Sequence, residues 1–192
     1  MFYRPEDGHG LPHNPFSAIV APRPVGWIAT RCSTGDNLAP YSFFNAVAYA
    51  PPQVMFSSLA DKDSLKAIRE TGVFCVNICG RALAEAMNLS SGSYPRGTDE
   101  FALAGLDKAP CHTIDCPRVA AAPAALECRM TQVIQLAGKA NFLVLGTVTG
   151  VHIDDAALTD GRLDVTRYQP VARLGYDDFC AVDRLFQMIR PG

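Results

Sequence analysis

Apolar residues in this chain recur mostly in short runs with the composition of β-strands. These runs are rich in β-branched and aromatic residues and are bounded by Gly, Pro, Asn and Ser. The predicted strands span 25–32, 37–44, 53–59, 73–79, 125–137, 141–153 and 179–188. The two longest are separated by Gly138, Lys139 and Ala140, a spacing that predicts a hairpin.

Helical spacing is confined to three short stretches between the strands. The first follows Asp61 and Asp63, either of which can cap it. The second spans 82–89, and the third spans 98–105 with Thr98 as its N-cap. Because the helices do not alternate regularly with the strands, the pattern predicts a mainly β fold, a barrel or sandwich with added helices.

The spacing of proline and glycine defines two further segments. Residues 1–22 contain three prolines before Phe16 and predict an arm that packs on the body. Residues 109–125 are rich in Ala and Pro and predict a crossing at the surface. The 192 residues show no repeat or low-complexity linker, so we expect a single domain over 1–192.

Composition narrows the class of protein. Hydrophobic residues make up 48% and charged residues 19%, which is typical of a compact globular chain. A net charge of −2 without a basic patch argues against a nucleic-acid partner. No apolar run is long enough to span a membrane, and the N-terminal segment lacks the apolar stretch of a signal peptide. We therefore expect a cytoplasmic protein.

Seven cysteines are scattered along the chain, without a CxxC pair. Cys111, His112 and Cys116 come closest to a metal-ligand cluster, but their spacing matches no common zinc site. We expect free thiols, no disulfide and no metal.

Candidate chemistry is concentrated in two places. Lys62 and Ser64 stand at the start of a predicted helix, where backbone N–H groups, a cation and a hydroxyl together favour a phosphate. The alternative is that both residues only cap and solubilise the helix. Among four histidines, His152 is the one functional candidate, because it ends a predicted strand near a barrel mouth.

Four segments resemble the flavin reductase-like family of FMN-binding split barrels. They are PRPVGWIAT, NLAPYSFFNAVAYAPPQVMFSS, KDSLKAIRETGVFCVNI and VARLGYDDFCAVDRLFQMIRP, and they occur in the family's order along nearly the whole chain. The resemblance implies a six-stranded antiparallel Greek-key barrel that binds flavin mononucleotide (FMN) and forms a homodimer. The apolar residues Val144, Leu145 and Val148, expected to be exposed, agree with such a dimer.

The resemblance also implies the residues that hold FMN. Strand residues would line the flavin, a turn would hold the isoalloxazine edge, and a third set would hold the phosphate. In that order they are Trp27, Ile28, Ala29 and Thr30; Ser42, Phe43, Phe44 and Asn45; and Ser57, Ser58, Lys62 and Ser64. Tyr176 stands where the family often has a second glycine after Gly175, and it could narrow the approach to the ring.

Three functions are compatible with this resemblance. The first is an NAD(P)H-dependent flavin reductase, in which NADH or NADPH gives hydride to FMN. The second is a non-enzymatic, flavoredoxin-like electron carrier with FMN as prosthetic group and a redox protein or oxygenase as partner. The third is a split barrel that no longer binds flavin. No acid–base dyad is obligatory for hydride transfer, because the flavin carries that chemistry.

Overall fold

The computed structural model describes all 192 residues and is mainly β, as the pattern predicts. Its strands, in chain order, are β1 Arg23–Pro24, β2 Gly26–Cys32, β3 Gly35–Tyr41, β4 Phe44–Tyr49, β5 Pro52–Leu59, β6 Val73–Ile78, β7 Lys108–Pro110, β8 Pro117–Val119, β9 Ala124–Gln135, β10 Asn141–Ile153, β11 Leu158–Thr159, β12 Arg162–Leu163, β13 Val171–Arg173 and β14 Phe179–Ala181.

The helices are short and lie outside the main sheet. The α-helices are α1 Phe16–Ile19, α2 Asp63–Thr71, α3 Ala84–Leu89, α4 Glu100–Leu103 and α5 Val165–Tyr168, and the 3-10 turns are Pro5–Asp7, Arg81–Leu83 and Asp155–Ala157. None of them is both long and apolar enough to cross a membrane.

One antiparallel sheet carries most of the fold. Its strand order is β3-β2-β6-β9-β10-β5-β4, with β3 and β4 as its two edges. The sheet has seven strands and is open, so the predicted count of six barrel strands is not confirmed. A three-stranded sheet, β1-β13-β14, brings the C-terminal region beside the start of the chain.

Two clusters of buried side chains form the core. Trp27 and Phe101 lie in one, and Phe56, Leu65 and Ile68 lie in the other, all fully buried. Each large apolar side chain removed from water contributes roughly 1.5–3 kcal/mol. The apolar face of α2 therefore fixes this helix, and with it the position of Lys62, against the sheet.

Several local predictions are wrong. The last strand ends at Ala181 and not at Met188, because residues 182–192 have no strand partner. Residues 109–125 are not a surface crossing: they contain β8 and bury Val119 and Ala122 in the core. Val144, expected to be exposed, is fully buried between β9 and β5.

Both predicted caps differ from the observed ones. Helix α2 begins after Lys62 and has no side-chain cap, so neither Asp61 nor Asp63 caps it. Helix α4 is capped by Asp99, whose carboxylate accepts from Phe101 N at 3.1 Å, and not by Thr98. The side chain of Thr98 instead donates to the Pro95 carbonyl.

The N-terminal arm contacts the C-terminal sheet closely. A Cβ atom on Gly175 would lie 2.4 Å from Ala18 Cβ, so α1 packs where only glycine leaves room. The Arg23 guanidinium donates to the carbonyls of Ser17, Val20 and Leu174. These contacts join residues of the arm to the segment that follows β13.

Candidate functional site

Three adjoining clefts form one groove along the side of the molecule. Its first part, here called the Lys62 end, has a volume of about 260 Å³. The lining of this end is Asn37, Ala39, Pro40, Tyr41, Lys62, Asp63, Ser64, Ser90, Ser91, Gly92, Ser93, Tyr94 and Glu100. Pro40 and Ser91 also line a narrow middle part, which leads to a cleft of about 530 Å³ that contains Arg173 and is here called the Arg173 end.

The start of α2 brings one cation and the N–H groups of a helix start to the Lys62 end, which the acidic residues Asp63 and Glu100 also line. Lys62 is the N-cap residue in extended conformation, and its carbonyl accepts the first helical hydrogen bond from Lys66 N at 3.0 Å. Because no side chain caps the helix, the N–H groups of its first turn are left for an anion. Asp63 also lines this end, and its carboxylate lies 3.8 Å from Lys66 Nζ.

A hydroxyl pair lies beside this helix start. Ser64 Oγ accepts from Asn37 Nδ2 at 2.9 Å, which leaves the serine proton free to donate. The hydroxyl of Tyr41 is buried beside the hydroxyls of Ser64 and Ser58, but it has no partner in good hydrogen-bond geometry. Burial raises the pKa of Tyr41, so the group remains a neutral donor. An unpaired buried hydroxyl is costly, and a ligand oxygen in the cleft would satisfy it.

The opposite wall is the serine loop, defined here as Ser90–Ser93. Trp27 anchors the loop to the core, because its Nε1 donates to Ser90 Oγ at 2.9 Å. Ser90 in turn donates to the Met87 carbonyl at 2.8 Å. Tyr94 covers Gly92 so closely that a Cβ atom there would lie 2.6 Å from the ring. The loop thus presents the hydroxyls of Ser91 and Ser93 to the groove, and the Ser91 hydroxyl already donates to the Asn88 carbonyl at 2.6 Å.

Arg173 and Phe179 dominate the far end of the groove. The Arg173 guanidinium carbon lies 4.4 Å from the Phe179 ring centroid, within cation–π range. The same guanidinium donates to the Tyr176 carbonyl, and it lies 3.4 Å from Asp177 Oδ1. Ser42 lies in the middle part between this end and the serine loop.

Tyr176 does not line the groove. It has a φ of 58°, a conformation that favours glycine, and its ring meets His13 edge-on at 5.6 Å. The expected narrowing of the ring approach by Tyr176 therefore has no counterpart in this structure.

Charge is distributed unevenly along the groove. Lys62 provides a cation at one end and Arg173 provides one at the other, where it also borders the middle part. The other side chains that line the middle part are uncharged. Glu100 lies at the back of the Lys62 end, where its Oε2 accepts from Leu38 N at 2.9 Å, and burial raises its pKa. This arrangement can hold an elongated ligand with an anionic group at one end and a flat or polar body along the middle.

Three of the predicted cofactor-binding residues, Ser42, Lys62 and Ser64, line this groove. Phe43 and Asn45 are exposed directly after Ser42, on the strand edge. Ser57 donates its backbone N–H to the Phe43 carbonyl at 2.8 Å.

The other predicted cofactor-binding residues are core residues. Ile28, Ala29 and Phe44 pack in the two clusters. Ser58 is buried and its hydroxyl donates to the Ala60 carbonyl at 3.1 Å. Thr30 is fully buried and its hydroxyl has no partner. Trp27 is also buried, and reaches the groove only through Ser90.

His152 lies in a different cluster. Its Nε2 is 2.5 Å from Glu127 Oε1, and its ring meets His112 edge-on at 5.1 Å. It does not line the groove, so its predicted effect on flavin access gains no support from its position. Within the chain, no group of three or more His, Cys, Asp or Glu residues is arranged to hold a metal.

Sequence reasoning missed the tyrosine, the serine loop and the arginine of the groove. The segment SSGS resembles an ordinary turn, and Tyr41 falls inside a strand pattern. Arg173 is separated from Ser42 by more than a hundred residues. The sequence did contain one signal that could have indicated them. Tyr41 directly precedes the SFFN segment, and the serine-rich turn Ser90–Ser93 is isolated from other serine clusters.

The chain belongs to the flavin reductase like domain family, whose sequence profile matches residues 19–172. A protein of Deinococcus radiodurans is 41% identical over 172 residues, covering 83% of this chain and 75% of that protein. A protein of Halalkalibacterium halodurans is 31% identical, with 90% and 87% coverage.

Solved structures share the fold. The 2-nitrobenzoate 2-nitroreductase of Pseudomonas fluorescens has a TM-score of 0.84 and 31% identity, covering 92% of this chain and 88% of that chain. Component B of the nitrilotriacetate monooxygenase from Bacillus cereus has a TM-score of 0.86 and 27% identity, with 94% and 100% coverage.

Proposed function

We propose that this protein is an NAD(P)H-dependent flavin reductase that binds FMN in the groove, with the phosphate at the Lys62 end. The observation that carries the proposal is the unpaired, buried hydroxyl of Tyr41 in a cleft that also holds the uncapped start of α2. A phosphate there would accept from first-turn N–H groups, from Ser64 and from Lys62.

The remainder of FMN would extend toward the middle of the groove. Ser93 of the serine loop and Tyr41 would offer donors to the hydroxyl groups of the ribityl chain, and Ser91, which donates to the Asn88 carbonyl, would accept. The isoalloxazine ring would lie beside Ser42, with the exposed Phe43 and Asn45 along its edge. When bound, the flavin accepts a hydride at its ring, and the protein orients the ring and leaves one face reachable.

The Arg173 end favours a reductase over a pure electron carrier. It provides a second cleft of about 530 Å³, large enough for part of a dinucleotide. Arg173 supplies a planar cation that can pair with a phosphate group, and Phe179 an apolar surface beside it. An electron carrier with FMN as prosthetic group needs no such second site, so it is the alternative.

We also propose a homodimer, on a surface other than the one the sequence indicated. Strand β4 is an edge of the main sheet, and its residues after Phe44 are all exposed, among them Val47 and Tyr49. The apolar side chains of Phe43 and Leu59 are also exposed. An exposed apolar edge strand is a site of association unless it is covered, and a second copy of this chain would cover it.

An oxygenase is the partner class we propose for the reduced flavin. A structural relative, component B of a nitrilotriacetate monooxygenase, is named as one part of a multicomponent oxygenase. A reductase with an open groove could release reduced FMN to such a partner.

An anaerobic titration tests the proposed function. Purified protein loaded with FMN is mixed with NADH and, separately, with NADPH while the flavin absorbance is followed. Rapid bleaching by either nucleotide is expected. Bound FMN that neither nucleotide reduces would favour the electron carrier, and failure to bind FMN at all would contradict both.

A further inference from the structure

Three thiols lie close together where the β7–β8 hairpin passes into its loop, outside the groove. Pro110 pairs with Pro117 in the hairpin, and Cys111 N donates to Cys116 O at 3.2 Å, which extends the register by one pair. Cys75 on β6 supplies the third thiol, and the neighbouring Cys111 contributes to raising its pKa. Directly opposed residues of an antiparallel pair have Cα atoms about 5.5 Å apart, within the range that a disulfide spans.

The three thiols differ in their access to solvent. Cys75 and Cys116 are buried, whereas Cys111 is partly exposed. Cys111 and Cys116 both line a cleft of about 200 Å³, beside Lys108 and Arg31. A small uncharged oxidant can therefore reach Cys111 with Cys116 directly behind it.

The surroundings of Cys111 favour its thiolate. The neighbouring thiols of Cys116 and Cys75 lower the pKa of Cys111, and burial only partly opposes them. The Cys116 thiol donates to the Ala29 carbonyl at 3.2 Å. His152 adds a smaller favourable contribution and Glu127 opposes it. Burial alone raises the pKa of Cys79 to about 12. The thiolate is the reactive form of cysteine, so the pair contains one activated and one protonated sulfur.

We propose that Cys111 is a peroxide-reactive cysteine and that Cys116 is its resolving partner. The Cys111 thiolate attacks one oxygen of hydrogen peroxide, the O–O bond breaks, and the hydroxide that leaves takes up a proton to form water. The resulting sulfenic acid reacts with the Cys116 thiol, forming the disulfide and releasing a second water. Two thiols are oxidised and one peroxide is reduced to two waters.

The site does not depend on flavin chemistry. Reduced flavins release hydrogen peroxide on reaction with oxygen, so the proposed function would place the oxidant nearby, and only that supply rests on the proposed function. The reaction itself requires nothing beyond the thiols and added peroxide. A test on the full chain without flavin therefore separates the two proposals.

The test is peptide mapping after oxidation. Reduced full-length protein, freed of reductant, is exposed to one equivalent of hydrogen peroxide and digested without reduction. We expect a Cys111–Cys116 linked peptide, formed roughly tenfold or more faster than oxidation of Cys32, a partly exposed cysteine without thiol neighbours in its hydrogen bonding. Linkage of Cys75 to Cys111, or oxidation of Cys32 at the same rate, would overturn the proposal.

Two variants test the separate roles of Cys111 and Cys116. Cys116→Ala should leave a sulfenic acid on Cys111 that dimedone traps, and Cys111→Ser should show no dimedone adduct at Cys116. Cys32→Ser is the matched control and should form the linkage at the wild-type rate. Because Cys116 is buried, the circular dichroism of Cys116→Ala is compared with wild type, and the mapping of wild-type protein decides the question if that variant does not fold.

Discussion

The indole Nε1 of Trp27 donates to Ser90 Oγ at 2.9 Å, and this bond joins the buried core to the wall of the groove. Both groups are buried. Trp27, which the resemblance implied to line the flavin, is therefore linked to the groove only through the serine loop. The sequence analysis did not identify that loop.

Replacing Ser90 tests that connection. Ser90→Ala leaves the Trp27 N–H buried without a partner, so we expect a loss of about 1–3 kcal/mol in the free energy of unfolding. FMN affinity should fall as well, because the loop loses its anchor. Ser93→Ala, an exposed member of the same loop, is the control and should unfold like wild type in urea. Equal stability of the two variants would mean that the bond does not hold the loop.

Much of the fold follows from the pattern of apolar residues. The strands at 26–32, 52–59, 73–78, 124–135 and 141–153 match their predicted ranges closely, because each combines β-branched or aromatic residues with clear turn signals. The last strand was predicted too long: Phe186 and Met188 fall within its predicted range, yet both are exposed and have no strand partner. Local pattern does not reveal whether a neighbouring strand exists.

The candidate site was predictable only in part. Lys62 and Ser64 are recognisable because the chemistry of a helix start is local. Tyr41 is not, because an unpaired hydroxyl is a property of its surroundings. Arg173 reaches Ser42 only through the pairing of β13 with β1, a long-range contact that no local pattern shows.

A buried carboxylate makes stability depend on pH. Desolvation opposes ionisation of Glu127, yet hydrogen bonds from Thr113, His112 N and His152 prevail and lower its pKa from 4.5 to about 2. Because the folded pKa is depressed, the stabilisation is full above about pH 4.5 and is lost as the pH falls toward 2. A shift of this size corresponds to a contribution on the order of 3 kcal/mol.

Urea unfolding of Glu127→Gln at pH 7 and pH 3 checks this account. The variant should be less stable than wild type at pH 7 and should lose less stability on going to pH 3. Glu70→Gln serves as control, since Glu70 accepts from Ser33 at an exposed position. If Glu127→Gln keeps the pH dependence of wild type, a group other than Glu127 causes the loss of stability at low pH.

The proposed dimer surface predicts the mass of the protein in solution. Wild-type protein at micromolar concentration should scatter light as two copies of the 20.7 kDa chain. Val47→Lys combined with Tyr49→Lys puts two charges on the exposed edge of β4 and should yield monomer. Leu103→Lys, an exposed apolar position on α4, should remain dimeric. A wild-type mass of one chain, or a dimer in the double variant, contradicts this surface.

The Tyr41 hydroxyl separates ligand binding from stability. Tyr41→Phe removes a buried group without a partner, so the ligand-free protein should be as stable as wild type or slightly more stable. FMN affinity should fall roughly three- to tenfold, the effect of one neutral hydrogen bond. Thermal melts without ligand measure the stability, and fluorescence titration with FMN measures the affinity. A stability loss with unchanged affinity would show that the hydroxyl has another partner.

The Lys62 end is the proposed binding site of the FMN phosphate. Lys62→Ala removes the cation from an uncapped helix start and should weaken FMN by about ten- to a hundredfold, since a charge-assisted hydrogen bond contributes roughly 1.5–3 kcal/mol. Lys66→Ala is the matched control: Lys66 lies on the same helix, pairs with Asp63 and does not line the groove.

The decisive measurement is the affinity of Lys62→Ala for FMN and for riboflavin, which has the same ring without a phosphate. The expected result is a loss for FMN alone, with riboflavin affinity unchanged and Lys66→Ala binding both as wild type does. FMN affinity that survives the loss of Lys62, or an equal loss for riboflavin, would contradict the placement of the phosphate.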